Sequence, residues 1–123
     1  MTASHFEAHV RHEQGVAVID VRGDVDAFAE ETLNAAYAEA VGGDSTAVLL
    51  NFDSVGYINS AGIGLIVVLL AETLKSSRRL LACGLSDHYR EIFEITRLAD
   101  LMGIFPDETS AITNASAAAA ADR

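Results

Sequence analysis

The sequence predicts an α/β fold: a mixed β-sheet of four to five strands with about four helices packed mainly on one face. Three observations lead to this class. Short β-branched runs alternate with stretches of helical period. The 123 residues match one domain in length,. Half of them are hydrophobic, enough for a single core,. The expected domain spans residues 1–123, with its core over about 6–112 and a C-terminal tail over about 113–123.

The elements follow in order along the chain. Phe6, Ala8, Val10 and His12 alternate with His5, Glu7, His9 and Arg11, the period of a strand with one wet face,. Glu13-Gln14-Gly15 supplies a turn, and residues 16–21 form a more central strand, paired antiparallel to the first and ending at Gly23,. From Asp26 the period becomes helical: Leu33, Ala36, Tyr37, Ala40 and Val41 share a face, Asp26 suits the cap, and Gly42-Gly43 stops the helix,. Residues 46–52 read as a third strand reached by a parallel crossover, and residues 53–59 as the connection to the next helix.

Residues 60 to about 75 lack proline and are apolar all round, which predicts a helix deep in the domain,. The charge-free run 61–71 is too short to cross a bilayer, which takes about 20 residues. Residues 80–83 form a fourth strand closed by Gly84. Ser86 caps a helix with Tyr89, Ile92, Phe93 and Thr96 on one face, and residues 98–102 add a short helical turn ended by Gly103,. Ile104-Phe105-Pro106 suits a short edge strand, and residues 107–121 a helix that frays into alanines,.

Eighteen acidic against 8 basic residues give a formal net charge of -10, which repels nucleic acid and anionic membranes and favours a basic or nucleotide-loaded protein surface as partner,. Cys83 is the only cysteine, so no disulfide framework exists,. The N-terminal residues lack the pattern of a secretion signal, so a cytoplasmic protein is expected.

The chemistry-bearing stretch is Tyr57-Ile58-Asn59-Ser60-Ala61-Gly62-Ile63-Gly64, which puts a hydroxyl at the mouth of a helix directly after a strand and loop. Unpaired amides and the helix dipole at such a position accommodate a phosphate dianion on Ser60. Small neighbours, Ala61 and Gly62, leave room for a kinase. The plainer alternative is that Ser60 is only an N-cap.

Other sites fit less well. Ile58 occupies the place of the first glycine of a hydrolase elbow. Val67 replaces the third glycine of a dinucleotide fingerprint, and no Walker lysine follows, so the glycines read as close-packing positions. His5, His9 and His12 on a strand, and His88 on a helix, read as surface residues, and Cys83 as a buried apolar side chain. No metal or cofactor is expected.

The segments Gly23-Asp24-Val25-Asp26, Ala47-Val48-Leu49-Leu50-Asn51-Phe52 and Ile58-Asn59-Ser60-Ala61-Gly62-Ile63-Gly64, with Arg90-Glu91-Ile92-Phe93-Glu94-Ile95-Thr96, Leu98 and Leu101, resemble the STAS domains of anti-sigma factor antagonists. The likeness runs over about residues 6–112. It implies a non-enzymatic switch: the unphosphorylated protein binds an anti-sigma factor that is also a serine kinase, the kinase phosphorylates Ser60 with its own bound ATP, and a phosphatase reverses this. It also implies a docking surface made of Asp24, Asp26, Asn59, Ala61, Gly62 and Ile63. The chain departs from the family's pattern at Asn59, where aspartate is usual, and at Arg97, where glycine is common. A STAS scaffold that is never phosphorylated, as in a stressosome or a lipid transporter, is the alternative. The sequence leaves the oligomeric state open.

Overall fold

The computed structural model describes residues 6–121, with side chains through 117. His5, expected in the first strand, lies outside them. Strand β1 (Glu7–Glu13) pairs antiparallel with β2 (Val16–Val25) through a turn whose central residues, Gln14 and Gly15, both have positive φ (52° and 82°). Two such residues match the right-handed twist of a hairpin, which is why glycine sits there. A 3₁₀ turn (Ala27–Ala29) and helix α1 (Glu30–Ala40) lead to β3 (Ala47–Ile58). Then follow α2 (Ser60–Lys75), β4 (Arg79–Cys83), α3 (Asp87–Ile95), a second 3₁₀ turn (Leu98–Asp100), β5 (Gly103–Phe105) and α4 (Glu108–Ala121).

The five strands lie side by side in chain order, with β2 to β5 parallel. Because each parallel crossover is right-handed and every step moves the same way across the sheet, α1, α2 and α3 must fall on one face. Their shared core holds Ile19, Val21, Val25, Leu33, Leu50, Ile66, Leu69, Leu70 and Phe93. Helix α4 follows the last strand and covers the other face, where Ala111, Ile112 and Ala115 pack on Val16, Val18, Leu49, Leu81 and Cys83. The four helices are thus divided three to one, and α4 continues to pack beyond residue 112.

Three boundaries differ from expectation for physical reasons. Strand β2 runs past Gly23 to Val25, and β3 runs past Phe52 to Ile58, because the buried ends Val25 and Ile58 pair with each other. The exposed Asp53 and Ser54, together with register shifts around Arg22, disguise that extension as a loop. Helix α2 is not deep in the domain. It buries Gly62, Ile66, Leu69, Leu70 and Thr73, while Gly64, Val67, Val68, Ala71 and Leu74 are exposed. A helix lying on a sheet has only one face to bury, whatever its composition.

Candidate functional site

Ser60 is the first helical residue of α2, and the residues before it explain its setting. Asn59 is extended (φ -98°, ψ -176°), and its Oδ1 accepts the Gly62 amide at 2.9 Å while its carbonyl accepts the Ile63 amide at 2.9 Å. The N-cap is therefore Asn59, which corrects the alternative in which Ser60 serves only as the cap. Asparagine and aspartate cap about equally well, so the departure at Asn59 costs the helix nothing. The Ser60 hydroxyl is left exposed and makes no hydrogen bond among the described residues.

The start of α2 is stitched to the end of β2. The Asn59 amide donates to the Val25 carbonyl at 3.2 Å. Gly62 is packed against that same carbonyl: a Cβ there would overlap the oxygen and stand 2.7 Å from its carbon. Gly62 is itself buried in this contact. Gly64, by contrast, has open space around it, so close packing explains only one of the two glycines.

Since Asp24 and Asp26 flank Val25, the same stitching brings the acidic turn beside Ser60 and Ala61. Asp26 caps the first 3₁₀ turn by accepting the Phe28 amide at 2.9 Å, and both aspartates are half-buried, as are Asn59 and Ile63. Two aromatic residues that the expected docking surface leaves out stand at this end of the molecule. Phe28 is 80 % exposed and Tyr57 51 % exposed. Phe28 falls off the apolar stripe of the helix that follows it, a signal available from the sequence.

Electrostatics single out the same helix. Of the four α-helices, α1 carries Glu30 and Glu31, α3 carries Asp87 and α4 carries Glu108 in the first turn, whereas α2 carries no acid there. With the Gly62 amide satisfied by Asn59, the amides of Ser60 and Ala61 have no acceptor among the described residues. The first turn of α2 thus lacks an acid of its own, and the acids beside it, Asp24 and Asp26, come from the neighbouring turn,.

Elsewhere the chemistry is structural. Among the described residues no group of three or more His, Cys, Asp and Glu is arranged to hold a metal, and strand alternation puts His9 and His12 on opposite faces,. A groove of about 520 Å³ on the α4 face is lined by Glu7, His9, Asp20, Arg22, Asn51 and Asp53. Cys83 is buried beneath α4, and burial, reinforced by the negative field of Asp53 and Glu108, pushes its thiol up to about 12. No helix among the described residues is long and apolar enough to cross a membrane.

This topology, with a serine opening the helix after the third strand, defines a class. The chain belongs to the STAS domain family, whose model matches residues 7–111. Its relatives include an anti-sigma-B factor antagonist of Staphylococcus aureus, 29% identical over 86 residues that cover 70% of this chain and 80% of that protein. BtrV of Bordetella bronchiseptica, a proposed anti-sigma factor antagonist, is 30% identical over 107 residues, covering 87% and 85%. Among solved structures, the Bacillus protein SpoIIAA in its phosphorylated form superposes with a TM-score of 0.67 at 24% identity, over 89% of this chain and 98% of that one. An anti-sigma factor antagonist from Mycobacterium paratuberculosis superposes with a TM-score of 0.76 at 19% identity, over 90% and 94%. These superpositions establish the shared fold.

Proposed function

We propose that the protein is an anti-sigma factor antagonist that works in the cytoplasm by partner switching. Unphosphorylated, it binds an anti-sigma factor with serine kinase activity; phosphorylated on Ser60 by that partner's ATP, it is released, and a phosphatase restores it. The protein itself is substrate and binding module, without catalysis or a cofactor of its own.

One observation carries this reading: the free Ser60 hydroxyl heads the outward face of α2. Gly64, Val67, Val68, Ala71 and Leu74 continue that face for most of the helix, about 21 Å at 1.5 Å per residue,. An exposed uncharged strip of this kind favours a protein partner. Around it, Asp24, Asp26, Ala61 and Ile63, with Phe28 and Tyr57, make the docking rim, while Asn59 and Gly62 shape the surface from beneath. A phosphate adds about two negative charges at the head of the strip. The first turn of α2, without an acid of its own, tolerates them, and an apolar partner surface does not,.

The test uses tagged Ser60→Ala and Ser60→Asp chains as baits in extract of the parent cells, with captured proteins identified by mass. Ser60→Ala is expected to retain the anti-sigma factor and Ser60→Asp to lose it by tenfold or more, about 1.4 kcal/mol or above. Equal retention would overturn the switch. Incubation of the parent chain with the captured kinase and ATP is expected to add one phosphate. A chain that stays unmodified while a control substrate is phosphorylated is a scaffold instead.

A further inference from the structure

The end of β3 poses a hydrogen-bonding problem. Strand β4 pairs with β3 only over Ala47–Asn51, so residues 52–58 have no strand beside them on that side. On the other side Val25 accompanies Ile58, and the Asn59 amide points there, to the Val25 carbonyl. Strand alternation then sends the Ile58 amide toward the side that β4 has vacated. Ile58 is buried, and an unpaired amide there is costly,.

Tyr89 of α3 fills the gap. The Ile58 amide donates to its Oη at 3.0 Å. The helix that carries Tyr89 is anchored at both ends of this turn. Ser86 caps it by accepting the Tyr89 amide at 3.3 Å, and Phe93, one turn on, is fully buried edge-on against Phe52 of β3 (ring centroids 6.4 Å apart). A side chain from another element thus completes the ladder one residue before the N-cap and two before Ser60.

We propose that Tyr89 is a positioning residue for Ser60: its hydroxyl stands in for the missing strand at the end of β3 and holds the peptide that presents the phosphoacceptor. The functional meaning rests on the phosphoacceptor reading of Ser60; the positioning itself does not.

Tyr89→Phe removes the hydroxyl and keeps the ring. The first readout is amide hydrogen exchange. Ile58 and Asn59 are expected to exchange about tenfold faster than in the parent, with the amides of β2 and β4 unchanged. The second uses Ser60→Cys as a probe, alkylated by iodoacetamide across a pH series. Cys83, buried with its thiol pushed up to about 12, is followed separately by peptide mass, so that its own labelling does not enter the midpoint. At the start of α2 the introduced thiol is expected to titrate below the about 8.5 of a free cysteine. Adding Tyr89→Phe is expected to move that midpoint upward by about half a unit, as the ordered amides that stabilise the thiolate loosen.

Arg11→Ala, which loosens the opposite face of the sheet, serves as control for a mere loss of stability and is expected to leave the midpoint in place. Unchanged exchange at Ile58 and Asn59, an unmoved midpoint, or an equal shift in the control would each overturn the proposal. Should Tyr89→Phe fail to fold, Ser60→Cys with Tyr89→His keeps a ring at the site, and the same two readouts decide. Neither arm uses a kinase, so a parent chain that never accepts phosphate overturns the partner switch and leaves this result to stand or fall separately.

Discussion

The starts of α2 and α4 share one capping bond, a side-chain oxygen accepting the amide three residues on, and put it to opposite uses. At α4, Asp107 Oδ1 accepts the Ser110 amide at 2.8 Å, which holds its carboxyl below the usual range. Glu108 in the first turn is bound by Arg11 and by Asn51 Nδ2 (3.3 Å), and hydrogen bonding from Arg11 lowers its pKa in turn. The dipole there is already neutralised. At α2 the cap is a neutral amide, no acid follows, and a free hydroxyl stands at the first position. Both helices bury an apolar face, but α2 leaves an apolar strip in solvent as well, where α4 exposes Thr113 and Asn114. The difference lies in whether the first turn carries an acid of its own, which is the feature that bears on the reading of Ser60 as a phosphoacceptor,.

The largest effect is expected from breaking the α2 side at its tightest contact. Gly62→Ala forces a methyl group into the Val25 carbonyl, which is backbone and cannot rotate away. A loss of about 3 kcal/mol is expected, at the upper end for overpacking. Urea denaturation measures it, and a loss below about 1 kcal/mol would mean that α2 slides freely along β2.

A smaller effect tests the α4 side. Arg11 bonds Asp20 through Nε at 2.6 Å and Nη2 at 3.0 Å, and Glu108 through Nη1 at 2.9 Å, tying two strands to the start of α4. About a third of the Arg11 side chain is exposed, so solvent screens the pairs, and Arg11→Ala is expected to cost about 1 kcal/mol,. The sign with pH follows from Glu108, whose folded pKa lies below its ordinary 4.5. Its contribution is complete above about 4.5 and is lost as pH falls through the lowered folded value. The gap in stability between parent and Glu108→Gln should therefore be widest near neutrality and close in acid. Cys83 reports the same event: under α4 its thiol is expected to label slowly at pH 8, and Arg11→Ala to speed labelling about fivefold, the equivalent of about 1 kcal/mol,.

How far the site is legible in the sequence depends on whether a residue acts locally. The succession of elements, the crossover helix and the serine after the third strand rest on period, turns and spacing, all of which lie within short stretches. The long arm of β3 is hidden because Asp53, Ser54 and Gly56 interrupt its apolar character, and only pairing between Val25 and Ile58 makes it a strand. Tyr89 reads as a core-face residue, since a hydroxyl reaching an amide 31 residues away leaves no mark in either segment. The exposure of α2 escapes notice because composition cannot reveal that one apolar face lacks a cover.

Arg97 lies between these cases. Its φ of 69° is left-handed, which explains in physical terms why glycine suits that position,. Its ion pair with Asp100 at 2.5 Å is largely exposed and contributes little,. Arg97→Gly is expected to raise stability by about 0.5–1 kcal/mol in thermal denaturation. A loss of stability would mean that the ion pair outweighs the strain.

The smallest change bears most directly on the contrast between the two helix starts. Asn59→Asp keeps the cap geometry and places a carboxylate where α4 has one. Alone it should alter stability by less than about 0.5 kcal/mol, in the favourable direction at neutral pH, because the dipole welcomes the charge. Combined with Ser60→Asp, the two carboxylates compete for the same few amides, so the double variant should be less stable than the sum of the singles by about 0.3–0.5 kcal/mol. That coupling should vanish in acid, where both groups are protonated. Additive effects at pH 7 would mean that the start of α2 has room for more than one negative charge, and the absence of acids from its first turn would then explain nothing about Ser60.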